Sequence, residues 1–169
     1  CATGIASGRY LWEFEIVSVK SGISLGITCG DPNQRHLQGG HVGSSPCEWG
    51  AGTSNGLMHA GNTQPQPFRF NRGDTVGMDF DADAGHLSFI VNGDRYARVF
   101  EGIKAPEGAA GFVPLVAVQS SLDVVRFTGL KNGKVSFAYN QQRRSRSANK
   151  RFTCTYVNGA ANGMGMLET

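Results

Sequence analysis

Apolar and polar residues alternate along much of this chain with a period of two. In Tyr10–Val17 the apolar Trp12, Phe14 and Ile16 fall on one side and Glu13 and Glu15 on the other, which predicts a half-buried strand. A short strand follows at Ile23–Thr28. Residues 29–56 show no period and are rich in Gly, Ser, Asn, Pro and His, so a long loop region is expected there. Leu57–Ala60 restores order. Asp74–Asp81 alternates through Val76, Met78 and Phe80, and His86–Asn92 through Leu87, Phe89 and Val91. Asp83-Ala84-Gly85 reads as the turn between these two strands.

Further strands are expected at Arg95–Phe100, Phe112–Val118, Asp123–Thr128, 134–139 and 151–157. Asn92-Gly93 and Asn132-Gly133 predict two-residue hairpin turns, because a type I′ turn needs positive φ at both central positions. The second is expected to join Val124–Leu130 to Val135–Tyr139. No segment has a helical period. About ten short strands at close spacing predict an all-β sandwich or barrel.

Composition agrees. Gly makes up 24 of 169 residues, against a usual share of about 7%, and without a three-residue period the excess belongs to turns. Hydrophobic residues are 40% and charged residues 17%, enough apolar material for a core. No stretch of apolar residues is long enough to cross a membrane as a helix.

The formal net charge of +3 is too small to point to nucleic acid by itself. The excess is local: Arg143, Arg144, Arg146, Lys150 and Arg151 fall within nine residues that contain no acid. This basic stretch, with Ser145 and Ser147, suits RNA phosphate, an acidic partner or a basophilic kinase. A solvated loop between strands is the plainer reading and the one preferred.

Cys1, Cys29, Cys47 and Cys154 are widely spaced, form no Cys-x-x-Cys pair and are too few for a disulfide scaffold. Together with the lack of an Asn-x-Ser/Thr sequon, this favours reduced thiols in an intracellular protein. The first residue is Cys1, so the chain reads as a fragment.

Two chemical readings compete with a binding role. Cys29, His36, His41 and Cys47 offer zinc-type ligands, but only the His-x4-His spacing is usual, so no metal and no cofactor are expected. Asp79, Asp81 and Asp83 fall on alternate positions, as paired carboxylates of a carbohydrate-active sandwich would. Turn hydrogen bonding explains Asp81 and Asp83 as well. Neither a nucleophile elbow nor a Walker phosphate loop occurs. No catalytic residue is therefore assigned.

Several segments recur in a characteristic order. They are Ser7-Gly-Arg-Tyr-Leu-Trp-Glu-Phe-Glu15, Ser24-Leu-Gly-Ile-Thr28, Glu48-Trp-Gly50, Gly73-Asp-Thr-Val-Gly-Met-Asp79, Gly85-His-Leu-Ser-Phe-Ile-Val-Asn-Gly93 and Phe112-Val-Pro-Leu-Val116, with a closing strand ending in Arg126-Phe127. This set resembles the SPRY domain over roughly residues 4–130. The resemblance implies a bent antiparallel β-sandwich of the jelly-roll or concanavalin-like kind. It also implies a non-catalytic module that recognises a protein or peptide through its connecting loops, as part of a larger multi-domain protein or complex.

Within the family, the stretches around Leu87–Val91 and Arg98–Ile103 are most similar to the SOCS-box SPRY adaptors, which grip an extended Asn-rich peptide. Their pocket tyrosine falls on Gln38, their pocket tryptophan on Gln119 and a pocket threonine on Thr28, so both aromatic anchors are absent. The partner-binding residues implied are Thr28, Leu37, Gln38, His41, Val42 and Trp49, with Val118, Gln119, Ser120 and Ser121. The SPRY-like sandwich is assigned to residues 1–130, and 131–169 to an extension with two strands and a mobile tail. The family normally has about two strands ahead of the Trp12 strand. Either upstream chain is missing here, or the strands at 134–139 and 151–157 cover the exposed sheet edges.

Overall fold

The computed structural model describes residues 4–29, 40–54, 56–131, 136–141 and 151–155, with backbone alone from residue 130 onward. Among the described residues twelve strands are formed: β1 (Arg9–Ser18), β2 (Ile23–Thr28), β3 (Glu48–Gly52), β4 (Gly56–His59), β5 (Asn62–Gln64), β6 (Thr75–Asp81), β7 (His86–Val91), β8 (Asp94–Phe100), β9 (Val113–Val118), β10 (Val124–Lys131), β11 (Ser136–Gln141) and β12 (Arg151–Thr155). They make a five-stranded sheet in the order β10-β1-β6-β7-β8 and a seven-stranded sheet in the order β12-β11-β9-β2-β3-β4-β5. No helix occurs among the described residues, so none is long and apolar enough to cross a membrane.

The alternation of β1, β6 and β7 is realised directly. Trp12 lies opposite Met78, and Met78 opposite Phe89, so one inward row crosses three strands. Trp12, Phe14, Ile16, Val76, Met78, Phe80, Leu87 and Phe89 are all buried. They meet Ile23, Leu25 and Ile27 of β2, Trp49 and Ala51 of β3, and Val116 and Val118 of β9 in one core. Aromatic edges lock the layers: Phe112 packs T-shaped on Phe80 at 4.9 Å between ring centres and on Trp49 at 6.0 Å.

Two tight turns form as their sequences predict. Asn92 (φ 52°) and Gly93 (φ 93°) join β7 directly to β8. Gly85 (φ 67°) closes the β6–β7 turn, with its N–H donating to the Asp81 carbonyl.

Three expectations are corrected. Within the region read as loop from 29 to 56, Glu48–Gly52 is strand β3, buried at every position. Its alternation is invisible because Gly50 and Gly52 stand at positions where a polar side chain would mark an outer face. β5 was not anticipated either; its three polar, exposed residues form the edge of the larger sheet. Finally, the strands flanking Asn132-Gly133 are not hairpin partners. β10 pairs antiparallel with β1, whereas β11 enters the other sheet, parallel to β9 and antiparallel to β12. The turn residues themselves lie outside the described residues. The Phe14/Phe127 contact, edge-on at 5.2 Å, helps seat β10 on β1.

Candidate functional site

The site is built on the outer face of β2, β3 and β9. The outward positions of β2 are Ser24, Gly26 and Thr28, all small, and Gly26 lies opposite Gly50 of β3. Missing side chains at both leave a bare strip, and residues 40–47 fold back over it. Val42 fills the strip and packs with Leu115 and Ala117 of β9 in a second small cluster. A Cβ at Gly26 would stand 2.0 Å from the Trp49 carbonyl oxygen and 2.8 Å from Val42, and one at Gly50 would stand 2.6 Å from the Val42 carbonyl oxygen.

Polar contacts fix this segment. The Val42 N–H donates to Ser24 Oγ at 2.8 Å, and the Gly43 N–H to Glu48 Oε2 at 2.9 Å. Glu48 is itself buried. The Ser44 hydroxyl donates to the His41 carbonyl at 2.6 Å, which closes the turn that presents His41.

The late loop is organised by Asp123, which is 1% exposed. Its carboxylate accepts N–H groups from Lys20, Ser21 and Gly22 of the β1–β2 turn. It also accepts those of Gln119 and Ser120 of its own loop. A single acidic side chain thus pins two chain segments about a hundred residues apart. Gln119 also donates its backbone N–H to the Gly22 carbonyl at 2.9 Å. Leu122 is left 62% exposed beside this clamp.

The early and late loops meet. Gln119 Nε2 lies 3.4 Å from the Gly40 carbonyl oxygen and 3.5 Å from His41 Nδ1. His41, Gln119 and Ser120 are half-buried and Ser121 is exposed, so these side chains reach the surface. Thr28, Val42, Trp49 and Val118, which the sequence also offered as contacts, are buried. Val118 faces the core opposite Ile23. Trp49 is stacked flat on His59 at 4.6 Å and closed over by Phe112. These four shape the surface from beneath. Leu37 and Gln38 lie outside the described residues, as do Arg143, Arg144, Arg146 and Lys150; Arg151 opens β12 opposite Asn140.

Asp123, Glu48 and Leu122 were missed from the sequence. A Ser-Ser-Leu-Asp turn before an apolar strand was the one available signal, and it marks a turn without revealing a clamp.

The remaining candidate groups are placed as follows. Asp79, on the outer face of β6, is held by Arg9 (Nε to Oδ1 2.8 Å, Nη2 to Oδ2 2.6 Å) and by Arg95. Desolvation alone would raise its pKa, but the two guanidinium groups outweigh it and hold the carboxyl below the usual carboxylate value. Asp81 accepts the Ala84 N–H in the β6–β7 turn and Asp83 accepts the Gly8 N–H. Each of the three carboxylates is thus engaged in holding the fold. Of the zinc-type quartet, His36 lies outside the described residues. Cys29 and Cys47 adjoin one another as free thiols. Burial and the neighbouring Cys47 thiol push the Cys29 thiol up to about 12.

Comparison with known proteins gives one consistent result. The family model of the SPRY domain matches residues 9–132. SPRY domain-containing SOCS box protein 3 of Xenopus laevis is 27% identical, over 72% of this chain and 35% of that protein. This chain thus spans about a third of that relative's length. The crystal structure of the SPRY domain of human HERC1 shares the fold, with a TM-score of 0.53 at 24% identity over 75% of this chain and 71% of that one.

Proposed function

This chain belongs to the SPRY domain family, and from that premise we propose that it is a non-catalytic protein-interaction module whose partner surface lies where residues 40–47 meet 119–122. SPRY domains are in general protein–protein interaction modules, so a protein or peptide partner is the coarse expectation. The observation that carries the finer reading is the Gln119 side chain reaching Gly40 and His41. Two loops distant in sequence share one patch, and both rest on a floor fixed by Asp123, Gly26 and Gly50.

Such a patch suits recognition, since loops at a sandwich end vary without disturbing the sheets. His41, Gln119, Ser120 and Ser121 supply hydrogen bonds. Leu122 supplies apolar area in place of the aromatic anchors that the SOCS-box adaptors carry. Binding hot spots usually need a large desolvated anchor, so affinity for a short peptide is modest unless Leu37 adds to Leu122. The module works within a larger protein or complex, in an intracellular setting. No observation favours the RNA or carbohydrate reading.

The test is partner capture by affinity pull-down and mass spectrometry, followed by titration of the recovered partner against variants. Gln119→Ala with Leu122→Asp is expected to weaken binding at least about tenfold with unchanged circular dichroism. Full binding in that variant, with loss on neutralising Arg143, Arg144 and Arg146, would move the function to the basic segment.

A further inference from the structure

The ladder between β2 and β3 continues one step past its last strand pair. Thr28 lies opposite Glu48, and the next two residues outward are Cys29 and Cys47. The Cys29 N–H donates to the Cys47 carbonyl at 2.9 Å, just as the Thr53 N–H donates to the Ile23 carbonyl at the other end. Hydrogen-bonded and open pairs alternate along an antiparallel ladder, so both ends fall on hydrogen-bonded positions. Residues at such positions have Cα atoms about 5.5 Å apart, within the roughly 4.4–6.8 Å that a disulfide spans.

Side chains of directly opposed residues lie on the same face of the sheet. Both cysteines point to the inner face with Ile27 and Leu25; Cys29 is 7% exposed, and Cys47 is partly buried against the same core. The two residues bracket residues 30–46, the segment that carries His41 and Val42.

We propose that Cys29 and Cys47 are a redox-active dithiol, which a low-molecular-weight disulfide converts into an intrachain disulfide at the root of the 30–46 segment. The exchange balances in two steps. The Cys47 thiolate, the more accessible, attacks one sulfur of the external disulfide, forms a mixed disulfide and releases one thiolate. The Cys29 thiol then loses its proton and attacks Cys47 Sγ, forming the Cys29–Cys47 bond and displacing the second thiolate. Both protein thiols are oxidised and the external disulfide is reduced to two thiols. Cys29 is suited to the resolving role, since burial screens it from the external disulfide while it lies opposite Cys47 in the ladder; its proton passes to the departing thiolate as it attacks. Excess thiol reverses the linkage through the same exchange.

The experiment incubates the folded, reduced chain with graded ratios of oxidised to reduced glutathione, blocks residual thiols by alkylation and maps peptides by mass spectrometry. The expected result is a linked peptide joining Cys29 to Cys47, reversed by dithiothreitol. In Cys29→Ser, Cys47 should accumulate as its glutathionyl adduct. In Cys47→Ser, Cys29 should remain alkylatable only on unfolding. Alkylation of the reduced wild type should proceed at least about tenfold faster at Cys47 than at Cys29. A link from either residue to Cys1 or Cys154, a stable Cys47 adduct in the wild type, or a Cys29–Cys47 link formed only in urea would each overturn the proposal. The wild-type map decides the matter even if a serine variant fails to fold.

Discussion

Gly26 and Gly50 stand opposite one another in β2 and β3, and Val42 lies across both. Neither glycine is needed for a turn; each is needed because a segment of backbone rests where its Cβ would be. Gly26→Ala puts a methyl group 2.0 Å from a carbonyl oxygen of the adjacent strand, and backbone does not yield as a flexible side chain does. The expected loss is about 2–3 kcal/mol, from overpacking and displacement of residues 40–47. Val42→Ala removes the contact without a clash and should cost only about 1–2 kcal/mol. Urea denaturation with unchanged m-values distinguishes the two. Equal losses would mean that the close approach costs nothing beyond the buried methyl groups.

Asp123 predicts a second outcome. Its carboxylate accepts five backbone N–H groups, of which that of Gln119 also reaches the Gly22 carbonyl. Asp123→Ala removes this shared acceptor from a part-buried clamp and should destabilise by about 2–3 kcal/mol. Asp123→Asn keeps one acceptor oxygen and should cost clearly less. Because the clamp joins residues 20–22 to 119–120, amide hydrogen exchange should accelerate in both segments together. Acceleration in only one would show that the two turns hold independently.

How legible this fold is depends on how local its cause is. β1, β6 and β7 carry their apolar core residues at every second position, so Trp12, Met78 and Phe89 announce themselves by alternation. β3 is covered on both faces, partly by a loop on its own outer side, so Glu48–Gly52 carries no such signal. Asn132-Gly133 has hairpin chemistry, yet β10 finds β1 and β11 finds β9, because sheet partners are chosen by packing across the sandwich. The partner-binding residues implied by the family resemblance fall in two loops far apart in sequence, and Gln119 lies beside Gly40 and His41. Asp123 was not foreseen, since nothing in its neighbourhood in sequence reveals that the β1–β2 turn comes to it.

The Asn92-Gly93 turn offers a cleaner local test. Both residues have positive φ, and a Cβ at Gly93 would meet nothing within 4 Å. Any penalty there is conformational rather than steric crowding by neighbours. Gly93→Val should destabilise by more than about 1 kcal/mol, because a β-branched side chain resists the left-handed region. Asn92 also braces the turn, its Nδ2 donating to Asp74 at 2.8 Å and its Oδ1 accepting the Thr75 N–H at 2.9 Å. Thermal melts of Gly93→Val and Asn92→Ala should therefore both fall. An unchanged midpoint in Gly93→Val would contradict the turn geometry.

Asp79 sets the acid limb of stability. It is nearly buried between Arg9 and Arg95, whose side chains are 57% and 43% exposed, so the pairs are partly screened. The folded carboxyl pKa lies below its usual value, since the two guanidinium groups overcome the desolvation that opposes ionisation. A depressed folded pKa means that the unfolded chain binds the proton first. The contribution is complete above the unfolded carboxylate pKa of about 3.9 and disappears as pH falls through the lower folded value. Asp79→Asn removes the charge but keeps the shape, leaving Arg9 and Arg95 with a neutral acceptor. At pH 7 the variant should be less stable by about 1–2 kcal/mol, with the exposed arginines limiting the loss. As pH falls through the lowered folded value the two proteins should converge, because the wild-type carboxyl is then neutral as well. Urea midpoints measured from pH 7 down to pH 2.5 provide the check. A constant offset at every pH would place the effect in packing rather than in the charge of Asp79.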